Sequence, residues 1–155
     1  MPDSPPAKNR QKFAEGEPKG RENIAEVECI ARYLQAYSEL RDGAEGAWII
    51  LTPYKNQVAL LGRKLPDARR QDRIMTVHAS QGREWDTVFL SVVDGHFNLP
   101  WFTDSTKRES GGLYVMNTAV SRARHHLTLV CNKAFWEGRP DAPRQLIARL
   151  LAVGG

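Results

Sequence analysis

Three polar stretches interrupt the apolar segments of this chain, and their side chains are of kinds that handle phosphates and sugars. The first is TPYKNQ, Thr52 to Gln57; the second is HASQGRE, His78 to Glu84; the third is NTAVSRAR, Asn117 to Arg124. Gly82 permits a tight backbone turn that other residues resist. Gln81 and Glu84 can grip hydroxyls or order water, and Arg122 can meet a phosphate through two parallel hydrogen bonds. Together they suit a nucleotide held at the edge of a domain. Each stretch also has a plainer reading. Thr52 before Pro53 is a natural strand stop and helix cap, and the SRAR arginines could be a solvated helix face. His125 and His126 start a strand more readily than they bind a metal, because no second ligand pair stands at suitable spacing, so no metal site is expected. Phe97, Trp101 and Phe102 could fold back as an apolar lid.

The segments around these stretches must position them. Residues 1–21 are rich in Pro, Lys, Glu and Gly without periodicity, which predicts a disordered lead-in or interdomain segment. From Glu22, Ile24, Val27, Ile30, Ala31, Leu34 and Tyr37 recur at helical spacing, and DGAEG (Asp42 to Gly46) ends that helix. AWIILT is a short buried strand stopped by Pro53, and Tyr54 opens a helix that turns Val58, Leu61 and Leu65 inward and ends near Pro66. RIMTVHA and DTVFLSVV read as two more strands, LYVMNTAVSRAR as a helix and HHLTLVC as a fourth strand. PRQLIARLLAV closes the chain as an amphipathic helix. The segment from Asp94 to Gly112 is long for a loop, which marks it as functional. Strands alternating with helices predict a parallel, doubly wound α/β sheet in a single domain over residues 22–155. In such sheets ligands bind beyond the carboxyl ends of the strands, which is where TPYKNQ and HASQGRE are expected.

Composition narrows the class of protein. A length of 155 residues with 41% apolar and 26% charged content suits one soluble domain. No apolar run approaches the ~20 residues that cross a bilayer, and the first residues lack the apolar segment of a signal peptide. Cys29 and Cys131 have no CxxC spacing and read as thiols of a reducing compartment, so a cytoplasmic location without membrane contact is expected. Net charge of +4 and 22 Lys plus Arg fit a nucleic-acid partner without demanding one.

At these residues the sequence resembles the second, C-terminal RecA-like domain of superfamily 1 helicases. The subgroup is the one that includes the RNA helicase of nonsense-mediated decay. IILTPYKNQ is similar to that family's motif IV, TVHASQGREWDTVFLSVV to motif V, and NTAVSRAR followed by LTLV to motif VI. ENIAEVECI resembles the Asn-x-x-Glu helix before motif IV, so the likeness spans roughly Asn23 to Trp136.

The resemblance implies a RecA-like fold and a set of roles. Arg122 matches the arginine that reaches the γ-phosphate of ATP, a type of contact typically worth ~10³ to 10⁵ in rate. Gly82, Arg83 and Glu84 match residues that approach the nucleotide. Thr52, Pro53, Tyr54, Gln57, Thr76, His78, Ser80 and Gln81 match places that face single-stranded DNA or RNA, and Asp86 with Arg124 would tie motifs V and VI together. Thr118 stands where valine is common, and His78 where an acidic residue is common. No GxxxxGK[ST] phosphate loop and no acidic magnesium-binding motif occurs in the chain. ATP with Mg²⁺ would therefore require an N-terminal RecA-like domain, in the same or another chain. On this reading the chain is an excised piece or truncated product without ATP hydrolysis of its own. The alternatives are a non-catalytic single-strand-binding module and a helicase remnant.

Overall fold

Trp48 and Ile50 point to one face of a sheet, Ile49 and Leu51 to the other, and that alternation sets the architecture. A computed structural model describes residues 20–36, 48–95, 99–108 and 111–154. Four strands form one sheet: β1 (Trp48–Thr52), β2 (Ile74–Thr76), β3 (Trp85–Ser91) and β4 (Ala123–Val130). Their order is β2-β1-β3-β4 and every pairing is parallel. A parallel sheet needs cover on both faces. Helices α1 (Ile24–Ala36), α2 (Lys55–Lys64) and α3 (Pro66–Arg70) cover one face, burying Ile30, Leu34, Leu61 and Ala68 against Trp48, Ile50, Ile74 and Phe89. Helices α4 (Gly112–Ser121), α5 (Lys133–Glu137) and α6 (Leu146–Gly154) cover the other. There Val115, Met116, Trp136 and Ile147 meet Ile49, Leu51, Val88 and Leu90. This is the doubly wound RecA-like α/β fold that the sequence predicts.

Several boundaries differ from expectation. The RIMTVHA strand is only Ile74–Thr76, because His78–Ser80 curls into a 3₁₀ turn. The SRAR arginines are not a helix face: α4 ends at Ser121, Arg122 is its C-cap, and Arg124 to His126 already belong to β4. Helix α5 was not anticipated; Asn132 caps it by accepting from the Phe135 N–H at 3.1 Å. Tyr54 rather than Thr52 is the N-cap of α2. The expected lead-in over 1–19, the DGAEG helix end, Tyr37 and Phe97 lie outside the described residues.

Asn23 caps α1 by accepting from the Glu26 N–H at 3.1 Å. Glu26 turns inward instead, taking Ser91 Oγ–H at 2.7 Å and the Val93 N–H at 2.9 Å. Burial pushes its carboxyl up to about 8, against the pull of those two donors. Val93 itself has φ +70, rare for a β-branched residue, and its carbonyl also accepts from Asn23 Nδ2.

Candidate functional site

The switch point of the winding lies between β1 and β3, where open α/β sheets usually leave a ligand crevice at the carboxyl ends. Here that crevice is closed. Tyr54, following β1, donates its hydroxyl proton to Asp94, following β3. The Asp94 carboxylate, fully buried, also accepts from Thr103 Oγ1 at 2.6 Å, from the Trp101 N–H at 3.2 Å and from Arg21 at 2.7 Å. Burial raises the Asp94 carboxyl, opposed by Thr103, Tyr54 and Arg21. Burial and Asp94 raise the Tyr54 phenol as well. Residues 101–103 of the segment after β3 therefore act as a plug. Its Phe102 stacks on Tyr54 at 5.6 Å, and the exposed His78 ring stands edge-on to Phe102 at 5.9 Å.

The residues expected to touch a strand divide accordingly. Thr52, Pro53, Tyr54, Gln57 and Ser80 are buried; Thr76 is half-buried; His78 and Gln81 are exposed. Gln57 donates to Ser91 Oγ and to the Asn23 carbonyl, both at 3.0 Å, and accepts from the Asn23 N–H at 2.8 Å. Ser80 donates to the Val77 carbonyl at 2.6 Å. The side chains of Gln57 and Ser80 thus serve the interior. Thr76 Oγ1 accepts from the Ala79 N–H at 3.2 Å and fixes the turn that lifts His78 outward.

HASQGRE does more than follow β2. It returns from the carboxyl edge to the amino end of β3, a span of about 20 Å along a seven-residue strand. His78 thus lies near one edge and Glu84 at the other, so the expected carboxyl-end location is corrected for Gly82 to Glu84. Gly82 makes the turn with φ +78, and no atom lies within 4 Å of where its Cβ would stand. Arg122, at the amino end of β4, donates to the Ser80 carbonyl at 3.2 Å, and the Trp85 N–H donates to the Arg122 carbonyl at 2.9 Å. Arg124 pairs with Glu84 at 3.3 Å and with Asp86 at 3.4 Å, so the Asp86–Arg124 link between the two stretches is present. Arg83 lies over the Trp85 ring at 5.0 Å and reaches Asp72 at 3.9 Å. Gln81 donates to the Tyr114 hydroxyl. No group of three or more His, Cys, Asp or Glu residues is arranged to hold a metal, and no helix is long and apolar enough to cross a membrane, among the described residues.

Sequence reasoning undervalued Asp94 and Phe102. The dipeptide Asp94-Gly95 after a strand signals a turn, and nothing local reveals that its carboxylate turns inward.

Residues 5–134 match the protein family described as AAA domain. The chain is also 31% identical to DNA-binding protein SMUBP-2 of Mus musculus over 128 residues, 77% of this chain and 12% of that protein. The same protein of Rattus norvegicus is 31% identical over 113 residues, 71% of this chain and 10% of its own. The chain belongs to the superfamily 1 helicase family, as a C-terminal domain. This helicase domain therefore spans only about a tenth of the length of the curated relatives it matches.

Proposed function

We propose that this helicase domain is the ATP-sensing, strand-gripping half of an ATP-dependent superfamily 1 helicase. The observation that carries the reading is one loop that leaves the carboxyl end of β2 with His78 and enters the amino end of β3 after Glu84, its Ser80 carbonyl accepting from Arg122 on the way. The donor set at the amino edge fits a nucleotide. Arg122 is half-buried and, among the described residues, held by carbonyl and hydroxyl oxygens, Gly82 leaves open space, and Glu84 is exposed. ATP with Mg²⁺ would supply the phosphoryl group that hydrolysis releases. Arg122 would neutralise charge developing on that group. Glu84 would accept from a ribose hydroxyl by exchanging its exposed pair with Arg124, and Arg83 would flank the site. The sequence has no GxxxxGK[ST], so an N-terminal RecA-like domain would cradle the β- and γ-phosphates and the metal.

At the carboxyl edge Thr76, His78 and Gln81 would meet the sugar-phosphate backbone of a single strand, and Phe102 beside His78 would offer a face to a base. Thr52, Pro53 and Tyr54 would shape that edge from beneath. Motion of the HASQGRE loop would couple the edges, since a ligand that draws Arg122 away from Ser80 releases the segment carrying His78. The related SMUBP-2 proteins are named for DNA binding, which supports DNA as the strand.

The test uses a parent protein that hydrolyses ATP. Arg122→Ala there should lower turnover about 10³-fold or more with strand affinity retained; unaltered turnover overturns the assignment. The 155-residue chain alone should release no phosphate from ATP. A second reading, a strand-binding module without a nucleotide role, draws on the His78–Phe102–Tyr54 aromatic cluster, which needs no nucleotide. It would be favoured if ATP analogues left strand affinity of the parent unchanged.

A further inference from the structure

Beside the outer strand, a recess of about 360 Å³ lies between α2, α3 and β2. Lys55, Arg63 and Arg69 line it, with Val58, Gly62 and Ile74 among its walls, and no carboxylate does. Their basic neighbours are neutralised: Lys64 pairs with Glu28 at 3.4 Å, and Arg70 pairs with Asp67. Lys55, Arg63 and Arg69 are exposed and make no ion pair among the described residues. Three like charges around one cavity give it a positive potential that an entering anion would relieve.

The recess is shaped as well as charged. Gly62 lies inside α2, where glycine costs a helix about 1 kcal/mol relative to alanine. A Cβ there would stand 3.0 Å from Arg69 Cδ, so Arg69 lies close along Gly62 and would shift by a few tenths of an ångström to admit a side chain. Lys55 and Arg63 are eight residues apart on α2, about 12 Å along its axis. That separation serves an extended polyanion better than one small ion. Lys55 also directly follows Tyr54, at the carboxyl edge where Thr76, His78 and Phe102 cluster.

We propose that this recess binds the phosphate backbone of single-stranded nucleic acid, extending the strand path from the His78 edge along α2. The proposal rests on the strand-facing half of the function proposed above and adds a contact outside the three motifs. Such a contact would hold the strand without reading its sequence and would respond steeply to salt.

The experiment titrates a fluorescent single-stranded oligonucleotide with the full chain at a series of salt concentrations. Removing two phosphate contacts by Arg63→Gln with Arg69→Gln should flatten the slope of log K against log salt by about 1.4. The same change at the paired Arg70 should leave it unaltered. Gly62→Ala should also weaken binding while leaving the urea midpoint unchanged or raised, which separates loss of the site from loss of the fold. An unchanged slope in the double variant overturns the proposal. So does equal weakening by Arg70→Gln, or binding of an acidic peptide in preference to the oligonucleotide. If His78→Ala weakens binding and the double variant does not, the strand edge stands and the recess falls. If the wild-type chain binds no strand even at low salt, both fall, while the role of Arg122 remains to be judged by turnover in the parent.

Discussion

The two edges of the sheet are built on opposite principles. At the carboxyl edge the polar groups are buried and saturated: Asp94, Tyr54, Thr103, Gln57 and Glu26 satisfy one another with little contact to water. At the amino edge Glu84, Asp86 and Arg124 lie near the surface in ion pairs of 3.3 and 3.4 Å. Buried networks are costly to break, because a lost partner leaves an unsatisfied group in a low-dielectric interior. Exposed pairs contribute little and exchange readily. Under the proposed function, the difference would suit one edge to holding shape beneath a strand and the other to trading partners when a phosphate arrives.

The comparison can be broken most sharply at Asp94. Asp94→Ala should strand Tyr54, Thr103 and Arg21 and lower stability by roughly 3 kcal/mol, read from urea unfolding. A loss below 1 kcal/mol would mean that the plug does not hold the crevice shut.

Glu26 gives the next largest effect, and its sign follows from burial. Its carboxyl lies at about 8 in the fold against 4.5 ordinarily, so between those values the folded state binds more protons than the unfolded one. Its contribution is complete below pH 4.5 and is lost as pH rises through about 8. Asp94, raised in the same direction, adds a slope of the same sign. Glu26→Gln should therefore reduce the fall in stability between those limits, measured by thermal unfolding across pH; an unchanged slope would place the carboxylate in contact with water.

Gly82→Ala should cost about 1 kcal/mol from its positive φ alone, because the space around it is open. Asn at the same position should cost less. Smallest is Arg124→Ala, expected to change stability by less than about 1 kcal/mol since both its pairs are exposed. A larger loss would show the amino edge to be as tightly built as its opposite, and the contrast would fail.

Much of this was legible in the sequence, for definite reasons. The alternation in Trp48 to Leu51 fixes which side chains reach each face, and a strand–helix order without tight hairpins leaves parallel pairing as the solution. The turn at Gly82 and the Asp86–Arg124 link were identifiable because their chemistry is local or follows motif order. The true length of β2 was not, since Thr76 capping Ala79 ends a run that still looks extended in composition.

Sequence by itself therefore determined the fold class, the family and which residue types are available for phosphate. Tertiary structure alone decided that Gln57 and Ser80 face inward, that Asp94 closes the crevice between β1 and β3, and that HASQGRE spans both edges. The physical reason is separation along the chain. Tyr54 and Asp94 are 40 residues apart and Arg122 and Ser80 are 42 apart, and only the packed sheet brings such pairs within hydrogen-bonding reach.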